Sequence, residues 1–174
     1  MFTRPLRLPD DLEPLRGVDA TTHSDSVLEV TAGGDGFELT EVPVTPPVVK
    51  SHDFLSELTE PHRVWSHASV AVEGEQVIGF VSTFYQEWNR RQVLWGLYVD
   101  VDHRGRGVGR ALMEVALDRG RQNGGRQLWL ETQNTNVPAI RAYRAMGLAL
   151  VGLDQTLYDG AVAHETALYF ARPL

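Results

Sequence analysis

A glycine-rich seam between an apolar strand and a helix, at residues 99–112, constrains the fold of this chain more than any other segment. The loop and the start of the helix are formed by Arg104, Gly105, Arg106, Gly107, Val108, Gly109 and Arg110. Glycines at such a seam leave room for a ligand to touch bare backbone. The first turn of the helix adds unpaired N–H groups and a positive dipole end, which suit a phosphate or pyrophosphate. The segment favours a phosphate-binding site, and a Gly-rich turn with solvated arginines is the alternative.

Two common phosphate-binding loops do not fit this segment. A Walker loop needs Gly-Lys-Ser/Thr, and no lysine lies near the glycines. A dinucleotide-binding loop needs Gly-x-Gly-x-x-Gly and an acidic residue about 20 positions further on. Glu131 lies somewhat further away, inside the next strand, and the glycine order is absent. Neither of these two loop types fits this segment.

Length and composition restrict the class of protein. A chain of 174 residues predicts a single domain over 1–174, with a core at about 25–174 and an N-terminal arm over 1–24. No apolar run has the length of a membrane helix, and residues 1–11 lack the apolar core of a signal peptide, so a cytoplasmic location is expected. The absence of cysteine excludes disulfides, thiolate metal sites and a cysteine nucleophile.

The charge of the chain bears on its partners. A net charge of -7 argues against a nucleic-acid surface, which would need a basic footprint. The same charge is compatible with a cationic partner, which it would attract over a distance. The histidines lack metal-ligand spacing, so no metal site is expected, and His103 is expected to shape the glycine loop.

The order of the predicted elements indicates an α/β layer architecture. A loop is predicted over 1–17, a helix end or short strand over 24–30, and Pro43, Pro46 and Pro47 are expected to end regular structure. Strands are predicted at 37–42, 68–72, 77–84, 93–101, 127–132, 148–151 and 165–170. Helices are predicted at 109–120 and from Asn136 to Gly147, with a short helix within 50–67.

Two spaced patterns carry a family resemblance. The first is Arg/Gln-x-x-Gly-x-Gly/Ala after a strand, matched by Arg104, Gly107 and Gly109. The second is an Asn, Ala, Tyr and Gly set on the next strand–helix unit, matched by Asn136, Ala139, Tyr143 and Gly147. Together they resemble the GNAT superfamily of N-acetyltransferases, which use acetyl-CoA as co-substrate.

The resemblance implies both the fold and the cofactor site. It implies an α/β GNAT fold, with a mixed, mostly antiparallel, V-splayed sheet flanked by helices. Acetyl-CoA is then expected in the splay between the strands at 93–101 and 127–132. The residues that the resemblance assigns to acetyl-CoA are Leu97, Tyr98, Val99, Arg104, Gly105, Arg106, Gly107, Val108, Gly109, Arg110, Asn136, Ala139 and Tyr143.

The chemistry of amine acetylation sets what else the site must contain. It needs a neutral amine, stabilisation of an oxyanion and a proton for the leaving thiolate. In the family a backbone N–H on the strand before the glycine loop polarises the thioester, which implies Leu97, Tyr98 or Val99 here. The family's leaving-group acid is a tyrosine at the position of Tyr143; a tyrosine that only packs on the sheet is the alternative.

The general base is the open point of this assignment. Many members of the family carry a glutamate where this chain has Trp95, which cannot take a proton. Glu131 is the best remaining candidate, because a charge within an apolar strand should lie at a cleft or be paired. Two alternatives stay open: a structural carboxylate that holds the loop around Asn134, and a water chain without a dedicated base.

Other segments narrow the resemblance to the streptothricin (nourseothricin) acetyltransferases. The matching stretches are residues 35–37, 41–44, 46–47, 88–91, 103–105, 130–139, 152–154, 158–160 and 165–169. Those relatives acetylate an amino group of the antibiotic's β-lysine side chain, which confers resistance. The resemblance therefore implies a cationic small-molecule amine as partner, and a homodimer is one expectation because dimers are frequent in the family.

A cationic acceptor requires carboxylates and aromatic faces. The residues expected to bind it are Glu87, Trp88, Trp95, Glu131, Asp154 and Tyr158; solvated or packed loop residues are the alternative for each. Two other functions remain open. One is the same chemistry on another amine, such as an aminoglycoside, a polyamine or a protein N-terminus. The other, prompted by Trp95, is an acyl-CoA-binding module that has lost catalysis.

Overall fold

The computed structural model describes residues 1–60 and 62–174. In chain order its elements are β1 (Phe2–Pro5), α1 (Leu12–Arg16), β2 (Thr22–Gly33), β3 (Gly36–Lys50), α2 (Phe54–Thr59), β4 (His67–Glu73), β5 (Gln76–Gln86), β6 (Arg91–Val99), α3 (Val108–Gln122), β7 (Gln127–Gln133), α4 (Val137–Ala145), β8 (Ala149–Asp154) and β9 (Ala167–Pro173). Short 3₁₀ turns lie at Val101–His103 and Gly160–Val162. These elements confirm the α/β architecture.

The chain forms two compact units. The first contains Met1–Thr21, Ser51–Trp129 and Pro173–Leu174, and the second contains Thr22–Lys50 and Leu130–Arg172. One mixed sheet has the strand order β1-β4-β5-β6-β7-β9-β8, and β2 and β3 form a separate two-stranded sheet. Strand β7 begins in the first unit and ends in the second.

In the first unit, β6 has two different edges. Along one edge it pairs antiparallel with β5, where Leu97, Tyr98 and Val99 face Val81, Phe80 and Gly79. Along the other edge its parallel register with β7 covers Arg91–Val93, although β6 continues to Val99. The backbone amides that point away from β5 beyond Val93 are therefore candidates for the predicted thioester donors.

The core of the first unit is aromatic on one side of the sheet. Phe54 of α2, Trp65 and Phe80 of β5 are buried together. Tyr98 stacks on Phe54 with ring centroids 4.6 Å apart. Helix α3 buries Leu112, Met113, Ala116 and Leu117. Apolar burial of this kind supplies most of the driving force for folding.

The predicted loop over residues 1–17 is wrong, because this segment contains a strand and a helix. Strand β1 pairs with β4, where Arg4 lies opposite Val70. The Arg4 guanidinium then binds the Asp11 carboxylate at 2.6 Å, next to the start of α1. The hydrogen-bonding partner of β1 lies far along the chain, so local composition could not indicate it.

The prolines at positions 43, 46 and 47 do not end regular structure, contrary to the prediction. Strand β3 runs from Gly36 to Lys50 through all of them. Its partner is β2, a full strand over 22–33 rather than a helix end, and the register shifts between Ser24, opposite Val48, and Ser26, opposite Pro43. Pro46 and Pro47 lie in this irregularity of a two-stranded sheet, where their missing N–H groups are tolerated.

Candidate active site

The glycine loop leads from β6 into α3 with an open backbone. Gly107 is the N-cap of α3 and has φ +88°, and Gly105 has φ +75°. A Cβ added at either position would meet no atom within 4 Å. Bare backbone therefore precedes the free N–H groups of the first helical turn, which is what binding of a pyrophosphate requires.

Arg104 fixes this loop through two hydrogen bonds to backbone carbonyls. Its Nε donates to the carbonyl of Val99 at 3.1 Å, and its Nη1 donates to the carbonyl of Thr21 at 2.8 Å. The guanidinium thus joins the end of β6 to a distant backbone segment of the same unit. A contact between Arg104 and acetyl-CoA stays a prediction, while Arg106 and Arg110 are exposed at the loop.

A buried carboxylate, Asp100, organises the other side of the loop. It accepts hydrogen bonds from the backbone of Asp19 and Asp102 and from His103 Nδ1, the last at 2.7 Å. Burial works to raise the pKa of Asp100, but these hydrogen bonds outweigh it and lower the pKa. His103 therefore shapes the loop, as expected, whereas the role of Asp100 had no recognisable signal in the sequence.

The left-handed backbone at Gly107 gives a testable prediction. Alanine at this φ costs about 1–2 kcal/mol, so Gly107→Ala should lower the melting temperature. Where the free loop relaxes, the strain is instead incurred on binding, so the two effects share this free energy and acetyl-CoA affinity should fall by up to about tenfold. Thermal unfolding and isothermal titration with acetyl-CoA measure both effects.

Gly109 supplies the matched control for that experiment. It lies inside α3, and an added Cβ would meet Val99 Cγ2 at an ordinary 3.7 Å. Gly109→Ala should therefore keep acetyl-CoA affinity and stabilise the protein by about 0.5–1 kcal/mol. Equal affinities for the two alanine variants would contradict a role for the Gly107 conformation.

Helix α4, in the second unit, carries the other family signature. It begins after Asn136 and ends before Gly147, whose φ of +84° terminates it. Asn136 is buried, its side chain does not cap the helix, and within the described residues its Oδ1 has no hydrogen-bond donor. An unpaired buried carbonyl is costly, so a donor from a bound ligand would fit here. Ala139 lies one turn further along α4.

Tyr143 lies on α4 and packs at 6.3 Å from the ring of Phe170. Burial, with a smaller contribution from the charge of Glu131, raises its pKa to about 12. The phenol is therefore protonated throughout the neutral range. It can donate a proton, which is the property that a leaving-group acid needs.

Glu131 of β7 is held by a tyrosine. Its Oε1 accepts a hydrogen bond from the Tyr158 hydroxyl. Burial raises the pKa of Glu131, although the Tyr158 hydrogen bond and the positive charge of Lys50 oppose this effect. A half-buried carboxylate with a raised pKa is suited to accept a proton at neutral pH.

The loop around Asn134 is held by groups other than Glu131. The Asn134 side chain donates to the carbonyl of Leu28 at 2.8 Å and accepts from the amide of Thr166 at 2.8 Å. Glu165, 4% exposed, accepts from Thr135 Oγ1 at 3.0 Å and pairs with Lys50 Nζ at 2.6 Å. Asn134 and Glu165 thus hold this loop, and a structural role for Glu131 stays the alternative prediction. Lys50 had no recognisable signal in the sequence, because nothing local links β3 to this loop.

The remaining residues expected to bind substrate lie in three surroundings. Glu87 and Trp88 are exposed at the β5–β6 turn, where Trp88 is 84% exposed. Asp154 accepts from the amide and hydroxyl of Thr156 at 2.7 and 2.8 Å, so it organises a turn. Trp95 is 46% exposed and donates from Nε1 to Glu57 at 2.9 Å.

A cavity of about 300 Å³ in the first unit is a separate feature. Its wall includes Leu6, Trp65, His67, Val115 and Arg119, and its lining contains none of the residues predicted to bind acetyl-CoA or acceptor.

In the part of the chain that the structure describes, no three His, Asp or Glu residues cluster as metal ligands. Over the same residues, none of the helices is long and apolar enough to span a bilayer.

Comparison with known proteins assigns the class. The model of the Acetyltransferase (GNAT) family matches residues 38–148, more than half of the chain. The chain belongs to this family, and it is an N-acetyltransferase with the GNAT fold that uses acetyl-CoA as co-substrate. The fold and enzyme class implied by the sequence patterns are therefore confirmed.

Three relatives resemble the chain over almost its whole length. A streptothricin acetyltransferase of Streptomyces lavendulae is 41% identical over 172 residues, 95% of this chain and 91% of the relative. The crystal structure of a nourseothricin acetyltransferase matches with a TM-score of 0.85 and 44% identity, covering 98% of this chain and 96% of the other. A Bacillus anthracis protein described as a streptothricin acetyltransferase, solved with acetyl coenzyme A, matches with a TM-score of 0.83 and 25% identity over 99% of each chain.

Proposed function

We propose that this protein transfers the acetyl group of acetyl-CoA to an amino group of a streptothricin-type antibiotic and thereby confers resistance. The observation that carries this proposal is the similarity to a streptothricin acetyltransferase over 95% of the chain. The likeness extends well beyond the cofactor motifs, into β2, β3 and the segment after α4. Those regions would have no reason to match if only acetyl-CoA binding were shared.

The residues described above support a division of roles. The glycine loop holds the pyrophosphate, and a backbone amide among Leu97, Tyr98 and Val99 polarises the thioester carbonyl. Glu131 takes the proton that the amine loses as its nitrogen forms the C–N bond. Tyr143 gives its proton to the thiolate released when the C–S bond breaks. The products are an acetamide and CoA. Solvent then takes the proton from Glu131 and returns a proton to Tyr143.

Two features weigh against a module that binds acyl-CoA without turnover. Tyr143 keeps a phenol that stays protonated at neutral pH, because burial raises its pKa to about 12. Glu131 keeps a carboxylate whose pKa is raised, mainly by burial. A binding module needs neither group. Trp95 replaces the glutamate that serves as general base in many relatives, but catalysis is retained if Glu131 is the base.

The experiment that tests the proposal compares acceptors. CoA release is followed with purified protein, acetyl-CoA, and either streptothricin, an aminoglycoside or spermidine. Turnover selective for streptothricin supports the proposal. Selective turnover of another amine would retain the enzyme class but reject the antibiotic, and tight acetyl-CoA binding without any turnover would favour the binding module.

Tyr158 gives a prediction that separates positioning from substrate binding. Its hydrogen bond lowers the pKa of Glu131, so Tyr158→Phe should raise that pKa. Because a base must be deprotonated, the acidic limb of the kcat/KM profile should move to higher pH. The variant should be slow at low pH and approach the wild-type rate at high pH. A rate deficit that is the same at every pH would instead indicate lost contact with the acceptor.

We also propose a cellular location and an oligomeric state for this protein. Acetyl-CoA is a metabolite of the cell interior, which favours the cytoplasm as the place of action. No interaction with nucleic acid or membrane is proposed, given the net charge of -7. A homodimer is proposed by analogy with the family, and light scattering of the purified protein measures the particle mass directly.

A further inference from the structure

Trp95 stands at an irregularity of β6 that turns it out of the sheet. Ser82 pairs with Gly96 and Thr83 pairs with Leu94, so Trp95 is the extra residue of a β-bulge. Bulges redirect single side chains and are common beside active sites. Trp95 is 46% exposed, and its ring centroid lies 6.1 Å from that of Phe84. A large aromatic face is thereby presented to solvent at a fixed position.

The N–H group of that indole already donates a hydrogen bond. Trp95 Nε1 donates to Glu57 Oε2 at 2.9 Å, across 38 positions of sequence. The bond uses Glu57 Oε2, and a carboxylate has a second acceptor oxygen, here Oε1. The contact therefore fixes one carboxylate oxygen and leaves the other available to a ligand.

Helix α2 places Glu57 along the functional part of β6. Phe54, one turn before Glu57 on the same helix face, stacks on Tyr98 at 4.6 Å. Tyr98 is one of the residues from which the thioester donor is expected. Trp95 precedes Tyr98 by three residues, about 10 Å of extended strand. Glu57 and Trp95 thus lie within the length of a small acceptor molecule from the predicted reacting atoms.

A carboxylate beside an aromatic face suits one kind of ligand group. The carboxylate forms charge-assisted hydrogen bonds with an ammonium group. The indole face attracts the same cation through its quadrupole, and tryptophan is the best of the aromatic side chains for this. The negative charge of the carboxylate disfavours an anion, so the two groups together favour a cation.

We propose that Glu57 and Trp95 form a subsite for a protonated, non-reacting amino group of the acceptor. The inference rests on the proposed function and adds a specificity determinant to it. The reacting amine must be neutral to attack, whereas the other amines of a polyamine acceptor, with pKa values of about 10, carry charge at neutral pH. A countercharge at this position orients such an acceptor through one of its charged amines, and the proton transfers are left to Glu131 and Tyr143.

The test is a comparison of two charge-neutralising variants on one helix. Glu57→Gln should raise KM for streptothricin about tenfold or more, the effect of losing a hydrogen bond to a charged group, with kcat within about twofold of wild type. Glu60→Gln removes the same charge at the exposed end of α2 and should leave both constants unchanged. Trp95→Phe, which keeps a ring but loses the N–H, should raise KM less than Glu57→Gln.

A second measurement separates binding from turnover. Isothermal titration of the protein with streptothricin, without acetyl-CoA, should show the same loss of affinity in Glu57→Gln, and added salt should weaken wild-type binding more than variant binding. Equal KM and Kd values for Glu57→Gln, Glu60→Gln and wild type would overturn the subsite while wild-type turnover upholds the proposed function. If wild type neither binds nor acetylates streptothricin, both proposals fail. Thermal unfolding confirms that each variant is folded.

Discussion

Replacing Glu131 with glutamine is expected to lower kcat/KM for streptothricin about 100-fold or more, the usual contribution of a general base. The substitution keeps the size of the side chain and can still accept a hydrogen bond from Tyr158, so the local packing should survive. What is lost is the ability to take the amine's proton. Steady-state CoA release over a range of pH measures the effect.

The rate of the wild-type enzyme should depend on pH in a way that the rate of Glu131→Gln does not. Burial raises the pKa of Glu131, so in wild type the rate should fall as pH drops through that raised pKa. This limb should be absent from the Glu131→Gln profile. Glu29→Gln, a change of the same type on an exposed position of β2, should keep the wild-type profile.

Glu131→Gln should lose activity without losing stability. A carboxyl whose pKa is higher in the folded than in the unfolded state stabilises the fold at low pH, and that contribution is lost as pH rises through the folded pKa. Glutamine removes this dependence without placing a buried charge. Glu131→Gln should therefore be at least as stable as wild type at neutral pH. A slow variant that is also unfolded would not support the assignment, and a fast one would favour a water chain as the base.

Tyr143→Phe is expected to lower kcat about 100-fold, with little change in KM for acetyl-CoA. Burial raises the pKa of Tyr143 to about 12, so the lost group is a protonated phenol over the whole neutral range. Phenylalanine retains the ring contact with Phe170. The variant should thus fold and bind acetyl-CoA normally while the departing thiolate lacks its proton donor.

Two readouts distinguish this role from packing. Titration with acetyl-CoA should give the wild-type Kd, and thermal unfolding should give a melting temperature close to that of wild type. A fall in affinity or stability that accounts for the lower rate would assign Tyr143 to packing on the sheet. A kcat equal to that of wild type would leave solvent as the proton source.

The glycine loop and α4 were predictable because their signals are local. The φ values at Gly105 and Gly107 require glycine, and Asn136 and Gly147 mark the ends of a helix within one stretch of sequence. Such signals do not depend on what lies across the fold. The same is true of the β4–β5 hairpin, whose turn and alternation lie side by side.

The contacts that the sequence did not reveal join distant segments. Strand β1 is defined by β4, and the prolines of β3 are tolerated because a register shift in β2–β3 accommodates them. The Trp95–Glu57 hydrogen bond depends on how α2 packs, and the partner of Glu131 comes from the loop before β9. Residue type predicted which side chains could act, whereas their partners depend on tertiary structure.

Identifying the reaction product tests whether this protein acetylates streptothricin. Streptothricin is incubated with acetyl-CoA and the purified protein, and the product is analysed by mass spectrometry with fragmentation. We predict a mass increase of one acetyl group, located on an amino group of the β-lysine side chain and formed far more slowly by Glu131→Gln. An unmodified antibiotic, in a reaction where acetyl-CoA is shown to bind, would rule out streptothricin as the acceptor.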